Sequence, residues 1–278
     1  DEAMAEALRI REREGQNLVH PFDADPVIAG QGTIGLELLE QCPELEVVVV
    51  PVGGGGLISG IAMAIKELRP EVRMVGVESS ALPAALEARR AGKPVVIPPA
   101  DTIADGIAVR KIGENTFRYL EKYVDDLVAV DEEEIAAAVL LLLEREKTVA
   151  EPACATTVAA VANGHLRGLE GKNVVMLLSG GNVDVTLVSR IIERGLVQDG
   201  RMAHLTVRVK DRPGALAALT AKLAACGANV VSLEHRRGYH GLWLTEAEIG
   251  LTLETRGRDH VSELVRTLSD AGYVVERE

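Results

Sequence analysis

"VVVVPVGGGGLISGIAMAIKEL", residues 47–68, decides how the chain is read. The unbroken apolar run at 47–50 has the length of a strand buried on both faces. Four glycines follow, and apolar residues then resume at helical spacing over 57–68, ended by Arg69-Pro70. A tight turn with positive φ needs one or two glycines rather than four. Bare backbone has another use. Successive N–H groups converge on an anion, and the N-terminus of the following helix adds its dipole. Neither familiar nucleotide pattern is present: no Lys-Ser/Thr pair follows the glycines, and no GxGxxG leads to an acidic residue at the next strand's end. The loop therefore reads as a phosphate cradle of unspecified owner, with a plain turn as the alternative.

Outward from that stretch, Val-rich runs alternate with helical patterns from about residue 45 to 195. Strands are expected at 73–77, 127–130 and 174–178. Asp131 caps a helix whose first turn, Glu132, Glu133 and Glu134, suits the positive end of its dipole. Further helices are expected near 152–165 and, after "SGGN", up to Gly195. Strand–helix alternation implies an α/β domain with a mostly parallel sheet and helices on both faces. Ser179 ends the 174–178 strand, and ligands of open α/β sheets bind outside the carboxyl ends of strands. One strand end able to hold a phosphate and another able to hold a polar ring atom suit a phosphorylated cofactor lying flat. Beyond "RGLVQDGR" the order becomes βαββαβ over about 75 residues, the split βαβ arrangement. The expected division is 1–195, a linker at 196–202, and a small domain at 203–278.

The chain has 278 residues, 47% of them hydrophobic, enough for one large core and a smaller one. A net charge of −12 argues against nucleic acid and anionic membranes, which recruit basic patches. Three scattered cysteines (Cys42, Cys154, Cys226) suit a reducing cytoplasm. No signal peptide is visible, and no apolar run approaches the ~20 residues of a membrane span. His20, His165, His204, His235, His240 and His260 fall at no metal-ligand spacing. The sequence opens with "DEAMAEALRIREREG", inside an amphipathic helix with Ala3, Met4, Ala7, Leu8 and Ile10 on its apolar side.

The motifs "HPFDADPVIAGQGTIGLELLEQ", "VVPVGGGGLISGIA", "TIADGIAV", "IGENTF", "EPACATTVAAV" and "LLSGGNVD" occur in this order. In them the chain resembles threonine dehydratases and their relatives the serine racemases, pyridoxal-phosphate enzymes of the tryptophan synthase β-like fold. "DRPGALAALTAKLAACGANVVSLEH" resembles an ACT domain, a ferredoxin-like regulatory module that binds amino acids. The resemblance implies that Gly53, Gly54, Gly55, Gly56 and Leu57 hold the cofactor phosphate and that Ser179 bonds the pyridine nitrogen. A neutral hydroxyl there leaves that nitrogen largely unprotonated, which suits β-elimination from threonine or serine to a 2-oxo acid and ammonia. It implies an effector pocket at Asp211, Pro213, Gly214, Ala215, Leu216 and Asn229 for isoleucine or valine, with modules pairing edge to edge in a homo-oligomer. Glu151 reads equally as ordinary helix-start chemistry and, by the resemblance, as a neighbour of the cofactor.

The family's Schiff-base lysine and its serine-rich motif are not in this sequence, whose eight lysines are Lys66, Lys93, Lys111, Lys122, Lys147, Lys172, Lys210 and Lys222. The expectation is that on the order of a hundred N-terminal residues are missing, that 1–29 is a remnant of a smaller subdomain, and that the chain alone has no lyase activity. Glu78 corresponds to a cation-binding glutamate of serine racemases, but Ala84 stands where their second acidic residue would be. A divalent site is not expected there, and a weak monovalent one is left open. Two other readings stand beside the dehydratase. One is a sister enzyme such as a serine racemase or hydroxyaspartate dehydratase; the other is a lysine-free protein that binds amino acids for regulation.

Overall fold

The computed structural model describes residues 2–237, 243 and 245–277, so His240 lies outside the described residues. The chain divides into two compact units, residues 1–183 and 184–278. In the first, α1 (Glu2–Glu14) and α2 (Asp25–Gln41) precede β1 (Val47–Pro51), α3 (Gly56–Leu68), β2 (Arg73–Ser79) and α4 (Ala84–Ala91). A 3-10 turn (Asp105–Ile107), α5 (Glu114–Tyr123), β3 (Asp126–Val130), α6 (Glu132–Leu141), α7 (Pro152–Ala162) and β4 (Val174–Met176) complete it. The four strands are parallel in the order β3-β2-β1-β4. All five residues of β1 are buried, as a central parallel strand covered on both faces requires.

Val48, Val50 and Met74 form one core with Ile58, Ile61 and Ile65 of α3. Strand alternation turns Val47, Val49 and Val75 to the opposite face, where α7 packs. Helix α2, not expected from the sequence, crosses α3 on glycines. A Cβ on Gly60 would lie 2.2 Å from the carbonyl oxygen of Ile28, and one on Gly35 would lie 2.9 Å from that of Ile61. Residues that lower helix propensity thus let two helices approach closely. At α6 the expected cap is present as a full capping box: Asp131 accepts from Glu134 N, and Glu134 accepts from Asp131 N, both at 2.9 Å.

The segment at 1–29 is tied to this unit at Asp23. Asp23 accepts from the N–H groups of Glu114, Asn115 and Thr116 at 2.9–3.0 Å, capping α5 from 91–93 residues away.

The second unit begins with α8 (Val185–Gln198), then β5 (Met202–Lys210), α9 (Ala215–Ala225), β6 (Asn229–Arg237), β7 (Glu246–Glu254), α10 (Arg258–Asp270) and β8 (Val274–Arg277). From β5 onward this is the expected βαββαβ order, folded as an antiparallel sheet β6-β7-β5-β8. Leu219, Leu223, Leu264 and Leu268 of its helices close a core with Leu205, Val207, Ile249 and Leu251. The expected boundary and linker fall differently. Helix α8 belongs to this unit, packing against β5, and residues 196–202 are held in place. Arg201 N donates to Leu196 O (2.8 Å), Thr255 N to Arg201 O (2.8 Å) and Gly257 N to Gly200 O (3.0 Å).

Candidate functional site

A cavity of about 330 Å³ opens at the carboxyl ends of β1 and β4. Gly53, Gly54, Gly55, Gly56, Leu57, Gly106, Ile107, Glu151 and Ser179 line it. The structure therefore brings together every residue that the resemblance assigned to the cofactor. Gly55 caps α3 with φ +88°, a conformation that favours glycine. The first N–H of α3 to find a carbonyl is that of Ser59, on Gly55 O at 3.0 Å. The N–H groups ahead of it from Gly53 onward make no hydrogen bond among the described residues, as the first turn of a helix leaves them.

The other glycines are demanded by neighbours. A Cβ on Gly54 would lie 2.3 Å from the Phe22 ring, one on Gly56 2.7 Å from Phe22 O, and one on Gly53 3.0 Å from Ile107 Cα. With no side chain tolerated, the wall offers only backbone donors and a helix dipole, which is what a phosphate needs.

Also in the lining, Glu151 donates from its N to Gly180 O at 3.1 Å, and the buried thiol of Cys154 lies 3.1 Å from Gly180 O. Burial pushes the Cys154 thiol up from its ordinary value, so it serves as a tie rather than a nucleophile. The Glu151 carboxylate fills the space that a Cβ on Gly180 would occupy, 2.5 Å from it, and faces Gly106 on its other side. The loop carrying Gly106 is anchored by Glu132, which accepts from Thr102 Oγ1 (2.6 Å) and Ile103 N (2.7 Å).

None of the eight lysines lines the cavity. Lys66 pairs with Asp125, Lys111 with Glu114, Lys122 with Glu67 and Lys172 with Glu46. Lys147 donates to Glu144 O, Lys93 is exposed, and Lys210 and Lys222 belong to the second unit.

Glu78 is buried at the end of β2, where its two carboxylate oxygens accept from Ala85 N (2.7 Å) and Leu86 N (2.9 Å) of α4. Burial raises its pKa to about 7 despite those bonds. Both oxygens of this glutamate, which the resemblance aligns with a cation ligand, thus accept from a helix start, and among the described residues no three His, Cys, Asp or Glu side chains group as a metal site.

In the second unit Gly214 caps α9 with φ +85°, and Asp211 pairs with Arg237 at 2.9 Å. Asn229 is not beside that turn. Lys210 pairs with Glu246, and Arg237 with Ala247, at one end of the sheet, whereas Asn229 pairs with Glu254 at the other. One chain therefore does not assemble the expected set of six, because β6 runs its full length between them.

Fold and cavity define a class: a parallel α/β protein with an anion-ready pocket at the carboxyl ends of its strands. The family model that matches residues 1–180 is "Pyridoxal-phosphate dependent enzyme". An L-threonine ammonia-lyase of Thermotoga maritima is 50% identical over 275 residues, covering 99% of this chain and 68% of that protein. A solved T.th. threonine deaminase superposes with TM-score 0.61 at 42% identity, covering 64% of this chain and 65% of that one. A serine racemase from Dictyostelium discoideum gives 0.61 at 36%, covering 66% and 58%. The chain belongs to the pyridoxal-phosphate-dependent enzymes, in their threonine dehydratase group. It spans about two thirds of the length of the first two relatives.

Proposed function

We propose that the chain supplies the cofactor pocket of a threonine ammonia-lyase, which converts threonine to 2-oxobutanoate and ammonia and serine to pyruvate and ammonia. The carrying observation is the run of N–H groups at Gly53–Leu57, unpartnered among the described residues, in the lining of one cavity with Ser179. In this reading the backbone holds the phosphate of pyridoxal 5'-phosphate, and the Ser179 hydroxyl meets the ring nitrogen. When bound, the cofactor withdraws electrons from Cα of the amino acid while the β-hydroxyl departs. Glu151, between Gly106 and Gly180, meets whatever polar group the ligand turns to that wall. No lysine reaches the cavity to carry the cofactor, so this chain alone turns over neither threonine nor serine. The second unit is a regulatory module: the start of α9 at Asp211, Pro213, Gly214, Ala215 and Leu216 receives the carboxylate of isoleucine or valine, which fits isoleucine biosynthesis. The exposed outer strand β6, with Val230, Val231 and Leu233 at its surface, supports pairing into a homo-oligomer. Three unpaired cysteines support a cytoplasmic setting. Serine racemase is the second reading, favoured by the Dictyostelium discoideum structure and disfavoured by Ala84.

The test is a fluorescence titration of the chain with pyridoxal 5'-phosphate. Saturable binding that inorganic phosphate competes away, and that Gly54→Val abolishes, is the expected result. Binding indifferent to both would refute the reading.

A further inference from the structure

The cradle works only if its peptides face the right way, and one side chain outside the cavity gives the shorter of two hydrogen bonds that hold the Gly54 carbonyl, the other coming from Gly113 N at 3.4 Å. Thr116 is fully buried at the start of α5, where its Oγ1 lies 2.8 Å from Gly54 O and 3.2 Å from Gly113 O. A hydroxyl has one hydrogen to donate, and the nearer carbonyl, that of Gly54, receives it. The peptide between Gly54 and Gly55 is planar and trans, so a carbonyl turned toward α5 sends the Gly55 N–H the opposite way. No α5 residue lines the cavity among the described residues, whereas Gly54 and Gly55 both do. The same threonine crowds any side chain at Gly55, its Cβ lying 3.0 Å from where a Cβ would stand, and its own carbonyl accepts from Ser59 Oγ at 3.2 Å. Its backbone is held in turn by Asp23, through Thr116 N at 3.0 Å.

We propose that Thr116 is the positioning residue of the anion cradle, its hydroxyl orienting the Gly54–Gly55 peptide so that the Gly55 N–H meets the phosphate. This rests on the cradle reading above and adds to it a residue outside the pocket. The test follows the amide signals of residues 53–57 by nuclear magnetic resonance while inorganic phosphate is added to the whole chain. Wild type shifts saturably. Thr116→Val, which keeps the shape and removes the donor, raises the apparent dissociation constant about tenfold, and Thr116→Ser stays within about twofold of wild type. A folded Thr116→Val protein that binds as wild type does would overturn the positioning role and leave the cradle standing. Wild-type amides that ignore phosphate would overturn the cradle and this proposal together. If Thr116→Val does not fold, Thr116→Cys, a weak donor of similar size, takes its place with the same two outcomes.

Discussion

Gly55 carries two constraints at once, a left-handed backbone and a neighbour that leaves no room for a Cβ. Gly55→Ala is expected to destabilise the chain by about 1–2 kcal/mol in urea unfolding, and to abolish competition between phosphate and cofactor. Glu78 makes a different kind of prediction. Its folded pKa of about 7 stands above the ordinary 4.5, so between those values the folded state binds more protons than the unfolded one. Its contribution is complete below pH 4.5 and is lost as pH rises through 7. The loss amounts to about 3 kcal/mol at most. Stability measured against pH should fall across that window, and Glu78→Gln should flatten the fall. An unchanged slope would contradict the assignment.

At the scale of elements, the start of α5 depends on a residue far away in sequence. Asp23→Ala leaves three N–H groups without their acceptor and is expected to cost about 1–2 kcal/mol, measured by chemical unfolding, with Asp23→Asn recovering part of it. This dependence also marks what the sequence could convey. The run at 47–50, the glycine loop and Asp131 were readable because strand, turn and cap each signal within a few residues. Helix α2 was not, since Gly30, Gly32 and Gly35 weaken its helical signature, and Gly32 and Gly35 are explained only by α3 lying against them. Phe22 over Gly54 and Thr116 on Gly54 O were equally invisible. Each joins residues 32–62 positions apart, and no local period records such a pair. Two cues were present, "HPFD" and "IGENTF", but as motifs of resemblance without a physical role.

For the whole molecule, the alternation of elements revealed both units, and the boundary between them moved because α8 packs on β5 rather than ending the first unit. The placement of the lysines bears on the chain as a whole. Assayed with threonine or serine and added pyridoxal 5'-phosphate, it should form no 2-oxo acid, and borohydride reduction should fix cofactor stoichiometrically on no single lysine. A crystal structure of the chain grown with pyridoxal 5'-phosphate tests the central claim most directly. The account predicts the phosphoryl group within about 3 Å of the backbone nitrogens of residues 53–57, with the ring nitrogen turned to Ser179. A phosphoryl group bound anywhere else, with the Gly53–Leu57 amides bare, would contradict it.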